Sequence, residues 1–211
     1  MVFSLRKQLG SPTVLINNAA IVTGKSILDS TFEEIDRSIT TNLTAHFYTL
    51  KTFLPSLLRS PVGGTVVTVS SVIGHVGAAR LADYAAAKAG LTALHKSLTA
   101  ELKGTEVRTV LVEPGQLSTP MFYGVQTPSP FLAPIVEPVE IVKEIVAAVD
   151  GGCSTNVAQP FYARWIDYFS VLPIGVQALV RKWARVDEAM NTFVGREGMK
   201  VEMKEGKGGL I

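Results

Sequence analysis

A single cysteine, Cys153, rules out an internal disulfide among these 211 residues and makes a reducing compartment the expectation. With no histidine or aspartate constellation spaced around it, Cys153 reads as a small buried or strand residue and not as a nucleophile. Histidine is scarce as well. His46, His75 and His95 have neither metal-type spacing nor acidic or cysteine neighbours in sequence, so no metal centre is predicted. Charged residues make up 18% and the net charge is +2, too dilute for a nucleic-acid footprint. There is no run of eighteen uncharged apolar residues, so no spanning helix is predicted. The apolar N-terminal stretch is short, and Arg6 and Lys7 follow it instead of preceding it, so it does not read as a signal peptide. A glycine-rich strand–turn–helix signature occurs nowhere in the chain.

What is present is an alternation of apolar runs and helical patterns. Residues 1–10 read as a helix end closed by Gly10. Thr13–Ile16 is a continuously apolar run suited to a strand buried on both faces. A helix is predicted from Thr31 to Leu58, with Glu33 and Glu34 in its first turn and Pro55 bending its last turns. The β-branched stretch Thr65–Ser70 is a strand, residues 83–103 a helix, and Val107–Val112 a strand stopped by Pro114-Gly115. Residues 116–137 read as a proline-bearing loop or lid. Pro138 opens a helix running to Val149, and 153–159 form a last short strand. The pattern predicts an α/β fold with a doubly wound parallel sheet. It also divides the chain into an α/β unit (1–159), an aromatic extension (160–194) and a disordered Gly/Lys-rich tail (195–211).

Tyr84 and Lys88 carry the chemistry. Four residues apart, they share one helix face, where an ammonium is expected to draw a phenol toward neutrality so that it can give or take a proton. The pair alone is a common coincidence. Ser71 at the end of a strand, Asn42 inside a helical run, and Pro114-Gly115 ending the next strand raise its weight, because ligands of parallel sheets bind at those carboxyl ends. Gly24-Lys25-Ser26 looks like the end of a phosphate loop, but Ala19 stands where such a loop needs glycine. His75 reads as either a lining residue of the substrate pocket or a loop residue without a special role.

Over roughly residues 12–121 these features resemble the classical short-chain dehydrogenase/reductase family. Asn17-Asn18-Ala19-Ala20 is similar to its Asn-Asn-Ala-Gly motif, Ser70-Ser71 to its serine motif, and Pro114-Gly115 with Thr119-Pro120-Met121 to its nicotinamide-side segment. Asp83, His95 and Glu101-Leu102 suggest the retinol and hydroxysteroid dehydrogenase branch. The resemblance implies a Rossmann-type fold and NAD or NADP as cofactor. Tyr84 is then the general acid or base, Lys88 its partner and a ribose ligand, Ser71 a donor to the substrate oxygen, and Asn42 the holder of a relay water. Asn18, Tyr84, Lys88, Pro114, Gly115 and Thr119 would meet the cofactor.

The family seats the pyrophosphate on a glycine-rich loop between its first strand and helix. Its absence here leads to the expectation of a partial sheet lacking the first strands, an edge at residues 13–17, and weak or no NAD(P)H binding by the chain as written. A truncated, inactive form acting through protein interaction is the alternative function. The enzyme reading is carbonyl–alcohol interconversion on a small hydrophobic substrate such as a steroid, retinoid, lipid or polyketide. The aromatic extension has two readings: a helix over the substrate pocket or a homodimer contact, and peripheral membrane docking through residues 160–185. Localisation is expected to be cytoplasmic, with association to endoplasmic reticulum or lipid-droplet membrane.

Overall fold

The computed structural model describes residues 10–125, 134–195 and 198. Four strands, β1 (Val14–Asn17), β2 (Gly64–Val69), β3 (Val107–Pro114) and β4 (Thr155–Gln159), form one parallel sheet in the order β1-β2-β3-β4. Register places Val67 beside Ile16 on one side and Val110 on the other, and Pro114 beside Gln159. Each crossover contains helix: α1 (Phe32–Ile39) and α2 (Ala45–Arg59), then α3 (Ile73–Val76) and α4 (Ala82–Glu101), then α5 (Pro138–Asp150).

The central strands are buried on both faces, as continuous β-branched runs require. Val66 packs with Leu50, Leu57 and Leu98 on the face covered by α2 and α4, whereas its neighbour Val67 packs with Val110, Val157 and Ile141 on the face covered by α5. This is a partial Rossmann-type, doubly wound α/β sheet. β1 stands at the edge expected for residues 13–17 but departs from the reading of a strand buried on both faces. It is the edge of the sheet among the described residues, and Val14 and Ile16 are exposed instead of buried on both faces. An apolar run reports that a strand exists; only its neighbours decide how many of its faces are covered.

The helix predicted over 31–58 forms with one interruption. Thr31 caps α1 in a capping box with Glu34, and residues Thr40–Thr44 make a π-helical turn before α2 resumes to Arg59, passing through Pro55. α3 has no counterpart in the sequence reading, being a single turn just after β2. Cys153 is exposed in the turn before β4 and is not a buried strand residue. The segment beyond β4 is not one helix. Phe161–Val171 is a run of 3-10 turns, and Pro173 breaks it from α6 (Ile174–Trp183), which a further 3-10 segment, Val186–Thr192, follows. The helix end predicted at 1–10 falls, save Gly10, outside the described residues. So do the tail beyond 198 and residues 126–133 of the proline-bearing loop.

Candidate active site

The carboxyl ends of β1, β2 and β3 open onto one cavity of about 990 Å³. Its floor is made by Asn18 after β1, Ser71 after β2, Pro114 and Gly115 at the end of β3, and Tyr84 and Lys88 from α4. Thr119 lines it too, so of the sequence-predicted site residues only Asn42 stands back from the wall. His75 is not on the wall either, which corrects its reading as a pocket residue.

Asn42 sits in the π turn, fully buried, and works on the loop behind the floor. Its Oδ1 accepts from the Ile21 N–H at 2.7 Å, and its Nδ2 donates to the Ile21 carbonyl at 2.9 Å and to Ser38 Oγ at 3.2 Å. Two residues further along the same helical path repeat the device. His46 Nε2 meets the Ala19 carbonyl at 3.1 Å, and Thr49 donates to Asn17 Oδ1 at 2.7 Å. Burial lowers the His46 imidazole, partly offset by that carbonyl, so the ring is neutral and donates from Nε2. Side chains spaced by about one helical turn thus zip the loop 17–21 onto the helix and fix the wall that Asn18–Ile21 present. Thr23 adds a hydrogen bond to buried Asp83 at 3.0 Å, tying the same loop to the start of α4. The Lys25 ammonium pairs with Glu34 at 2.6 Å, which accounts for it without a phosphate.

Tyr84 and Lys88 do lie together, but not as their spacing suggested. Lys88 Nζ sits 5.5 Å from the centroid of the Tyr84 ring and donates to the Val69 carbonyl at 2.7 Å. Both residues are almost wholly buried. Burial raises the Tyr84 phenol well above its ordinary value, and a hydrogen bond with Ser71 offsets only part of that. Burial also brings the Lys88 ammonium down from 10.5 to about 8. The expectation that Lys88 draws the phenol toward neutrality is therefore corrected for this geometry. Desolvation of the phenolate outweighs a cation that faces the ring and is itself desolvated. Tyr84 rests as a protonated phenol, a proton donor.

The two serines divide their labour. Ser70 Oγ donates to the Lys88 carbonyl at 2.8 Å and lies 2.8 Å from Thr92 Oγ1, so it locks α4 to the end of β2. Ser71 Oγ has only long bonds, to the Pro114 carbonyl at 3.4 Å and from the Ile73 N–H at 3.3 Å, besides the one with Tyr84. It is the serine with capacity left for a substrate oxygen. Gly74 makes this closeness feasible, because an added Cβ would stand 2.8 Å from the Ala89 nitrogen on α4. Gly115 plays the same part at β3, where a Cβ would stand 2.7 Å from Tyr162 Oη.

Sequence reasoning missed a buried network beneath this floor. Glu113 accepts from Thr92 Oγ1 at 3.0 Å and meets His75 Nε2 at 2.7 Å, and His75 Nδ1 lies 3.0 Å from Asp167 in the 161–171 segment. The Glu113 contact chiefly raises the His75 imidazole, and burial opposes it. Nearby His95 is pushed down to about 4 by burial. The available signal was Glu113 itself, a carboxylate ending the apolar run Val110–Val112.

Residues 160–190 roof the cavity. Trp165, Phe169, Trp183 and Met190 line it, and Met190 packs on Tyr84 and Leu81. Phe122 meets the Tyr84 ring edge-on at 6.0 Å. Among the described residues no helix is long and apolar enough to cross a membrane.

The wall suits one end of a nicotinamide dinucleotide. Lys88 Nζ has three protons and spends one on Val69, leaving donors for a ribose diol. Tyr84, Pro114, Gly115, Thr119 and Asn18 line the same cavity and would meet that end of the group. A glycine-rich pyrophosphate seat is not encoded in the 211 residues.

Comparison with known proteins places the chain in a family. The sequence model of the short chain dehydrogenase family matches residues 1–129. Retinol dehydrogenase 10 of Homo sapiens is 32% identical over 213 residues, covering 98% of this chain and 62% of its own length. Epidermal retinol dehydrogenase 2 of Homo sapiens is 34% identical, covering 92% of this chain and 63% of its own. An uncharacterized oxidoreductase of Saccharomyces cerevisiae is 28% identical, covering 90% and 63%. The chain thus spans somewhat under two thirds of the length of these curated relatives.

Proposed function

The chain belongs to the short-chain dehydrogenase family, and from that premise we propose that it interconverts a carbonyl and an alcohol on an apolar, retinoid-like substrate with NAD or NADP. The observation that carries this reading is the convergence of Ser71, Tyr84 and Lys88 on the floor of one largely apolar cavity.

In the reductive direction the substrate oxygen is received between Ser71 Oγ and the Tyr84 hydroxyl. Ser71 donates a hydrogen bond that strengthens as charge builds on that oxygen, and Tyr84 delivers the proton. A nicotinamide, when bound, would supply the hydride. Lys88 would hold its ribose and, once Tyr84 has lost its proton, stabilises the phenolate from across the ring. A relay water on Asn42 would use its main-chain carbonyl or the second lone pair of Oδ1, since both amide protons are committed. In oxidation the same phenol must first lose its proton, and its raised value makes that the harder direction near neutrality. The apolar lining from Ile73, Val76, Leu117 and Met190 excludes water and favours a substrate with a long hydrocarbon body.

The test is isotopic. Because the 211 residues encode no glycine-rich pyrophosphate seat, the chain is incubated at single-turnover concentration with a large excess of NADH or NADPH deuterated at the transferable position and with an apolar aldehyde such as retinaldehyde, and the alcohol is analysed by mass spectrometry. Deuterium is expected in the alcohol, with transfer lower by about 10²–10⁴-fold in Tyr84→Phe. No transfer by the parent chain, or equal transfer by the variant, overturns the reading.

A further inference from the structure

A buried polar side-chain atom without a partner is uncommon, and each one raises the question of what it serves. Among the described residues Asn17 Nδ2, His46 Nδ1, Ser56 Oγ and His95 Nδ1 stand so. His46 is the one set beside the floor of the cavity. Its Nε2 is anchored on the Ala19 carbonyl, just past the end of β1, and Lys88 Nζ on the Val69 carbonyl, at the end of β2. These strands are neighbours, with Asn17 beside Thr68. His46 from α2 and Lys88 from α4 therefore reach the same pair of strand ends. The π turn that leads into α2 lies tight against α4, where a Cβ on Gly90 would stand 2.9 Å from Leu43 Cδ2. Both side chains are almost fully buried. Burial chiefly, and the Lys88 charge as well, lower the His46 imidazole, so it stays neutral.

The one proton of a neutral ring that faces a carbonyl through Nε2 sits on Nε2, because a carbonyl only accepts. Nδ1 then offers a bare lone pair. Lys88 offers the reverse, a desolvated cation with three protons of which Val69 takes one. The two nitrogens are not bonded directly, and a single water joins such groups when each lies beyond the other's reach. Asn42, one turn before His46, has both amide protons committed to Ile21 and Ser38. We propose that His46 Nδ1 accepts a hydrogen bond from a water held by the Lys88 ammonium, which makes His46 a positioning residue for Lys88. Asn42 then shapes the turn, and His46 supplies the acceptor. That acceptor favours the charged form of Lys88 against its burial and fixes where its remaining protons aim. Its service to hydride transfer rests on the carbonyl–alcohol reading above; the hydrogen bond itself does not.

The test uses the full chain, isotopically labelled for nitrogen NMR, without cofactor or substrate. The His46 Nδ1 resonance is expected in the unprotonated range, displaced upfield by the accepted bond, and should lose that displacement in Lys88→Met. Two further variants split the duties of the ring while the Lys88 titration is followed. His46→Gln sets an amide N–H near the place of Nε2, keeping the Ala19 contact, but leaves nothing at the place of Nδ1. His46→Asn sets an amide oxygen near Nδ1 and gives up Ala19. The Lys88 midpoint should fall by roughly one unit in His46→Gln and stay near the parent value in His46→Asn. A histidine that merely clamps the loop 17–21 gives the opposite order, and that result overturns the proposal. So does a proton on Nδ1 in the parent chain, or an Nδ1 resonance indifferent to Lys88→Met. The parent-chain resonance decides the matter even where a variant does not fold. Since no hydride transfer is measured, the proposal can fail with the enzyme reading intact, and the reverse.

Discussion

On the sheet side of the cavity, Asn42, Ser70, Lys88, Thr92 and Glu113 are polar, buried and hydrogen-bonded; on its roof, Ile174, Leu179 and Trp183 are apolar and exposed. Each region inverts the usual distribution, for a different reason. Buried polar groups are tolerated only where each finds a partner, and the reward is a floor whose parts cannot drift. Exposed apolar groups are tolerated where something else covers them. The floor thus holds its polar groups at fixed positions, whereas the roof leaves large apolar side chains exposed among the described residues. The two regions meet at Met190 on Tyr84, at His75 between Glu113 and Asp167, at Ala163 on Val72 and Ala158, and at Arg181 on the Val76 and Gly77 carbonyls.

Substitutions that strike one region and spare the other separate these roles. The largest effect falls on the floor, where Tyr84→Phe should remove two to four orders of magnitude of hydride transfer while amide exchange in residues 161–171 is unchanged. Faster exchange there would mean that the regions are not independent. Next comes the seam. Met190 is almost fully buried against Tyr84, so Met190→Ala should destabilise the fold by about 2–5 kcal/mol in urea unfolding. An effect near zero would show that the roof sits loosely on the floor.

Lys88 allows a test through pH. Its folded value of about 8 lies below the ordinary 10.5, so the unfolded chain binds more protons between those values and stability rises with pH across that window. The full span is on the order of 3 kcal/mol. Against Lys88→Met, the parent chain should therefore gain stability as pH goes from about 8 to about 10; parallel profiles would contradict the burial of that ammonium. The smallest effect is expected at His75. Its folded value is raised, so its stabilisation is fully present below the ordinary histidine value of 6.5 and is lost as pH climbs through the folded one. Amide exchange in residues 161–171 should quicken over that rise, and His75→Gln should abolish the pH dependence.

Much of this was legible in residue order. Alternating β-branched runs and helical patterns specify strands and helices because burial on two faces, or on one stripe, demands those periods. The residues at the strand ends converge because a parallel sheet brings its carboxyl edges to one side. Asn42 was visible as an interruption, though its clamp on Ile21 was not, since the partner lies 21 residues earlier. The Glu113 network joins residues far apart in the chain and left only one misplaced carboxylate as a trace.

The sequence by itself determined the family, the alternation of elements and the identity of the groups at the floor, because each depends on local pattern and spacing. Only the tertiary structure decided how those groups behave. The state of Tyr84 depends on how far burial outweighs a neighbouring cation, and α6 leaves Leu179 and Trp183 exposed while Gln177 and Arg181 find carbonyl partners. Each is a balance between solvent and neighbours, which spacing along a chain does not encode.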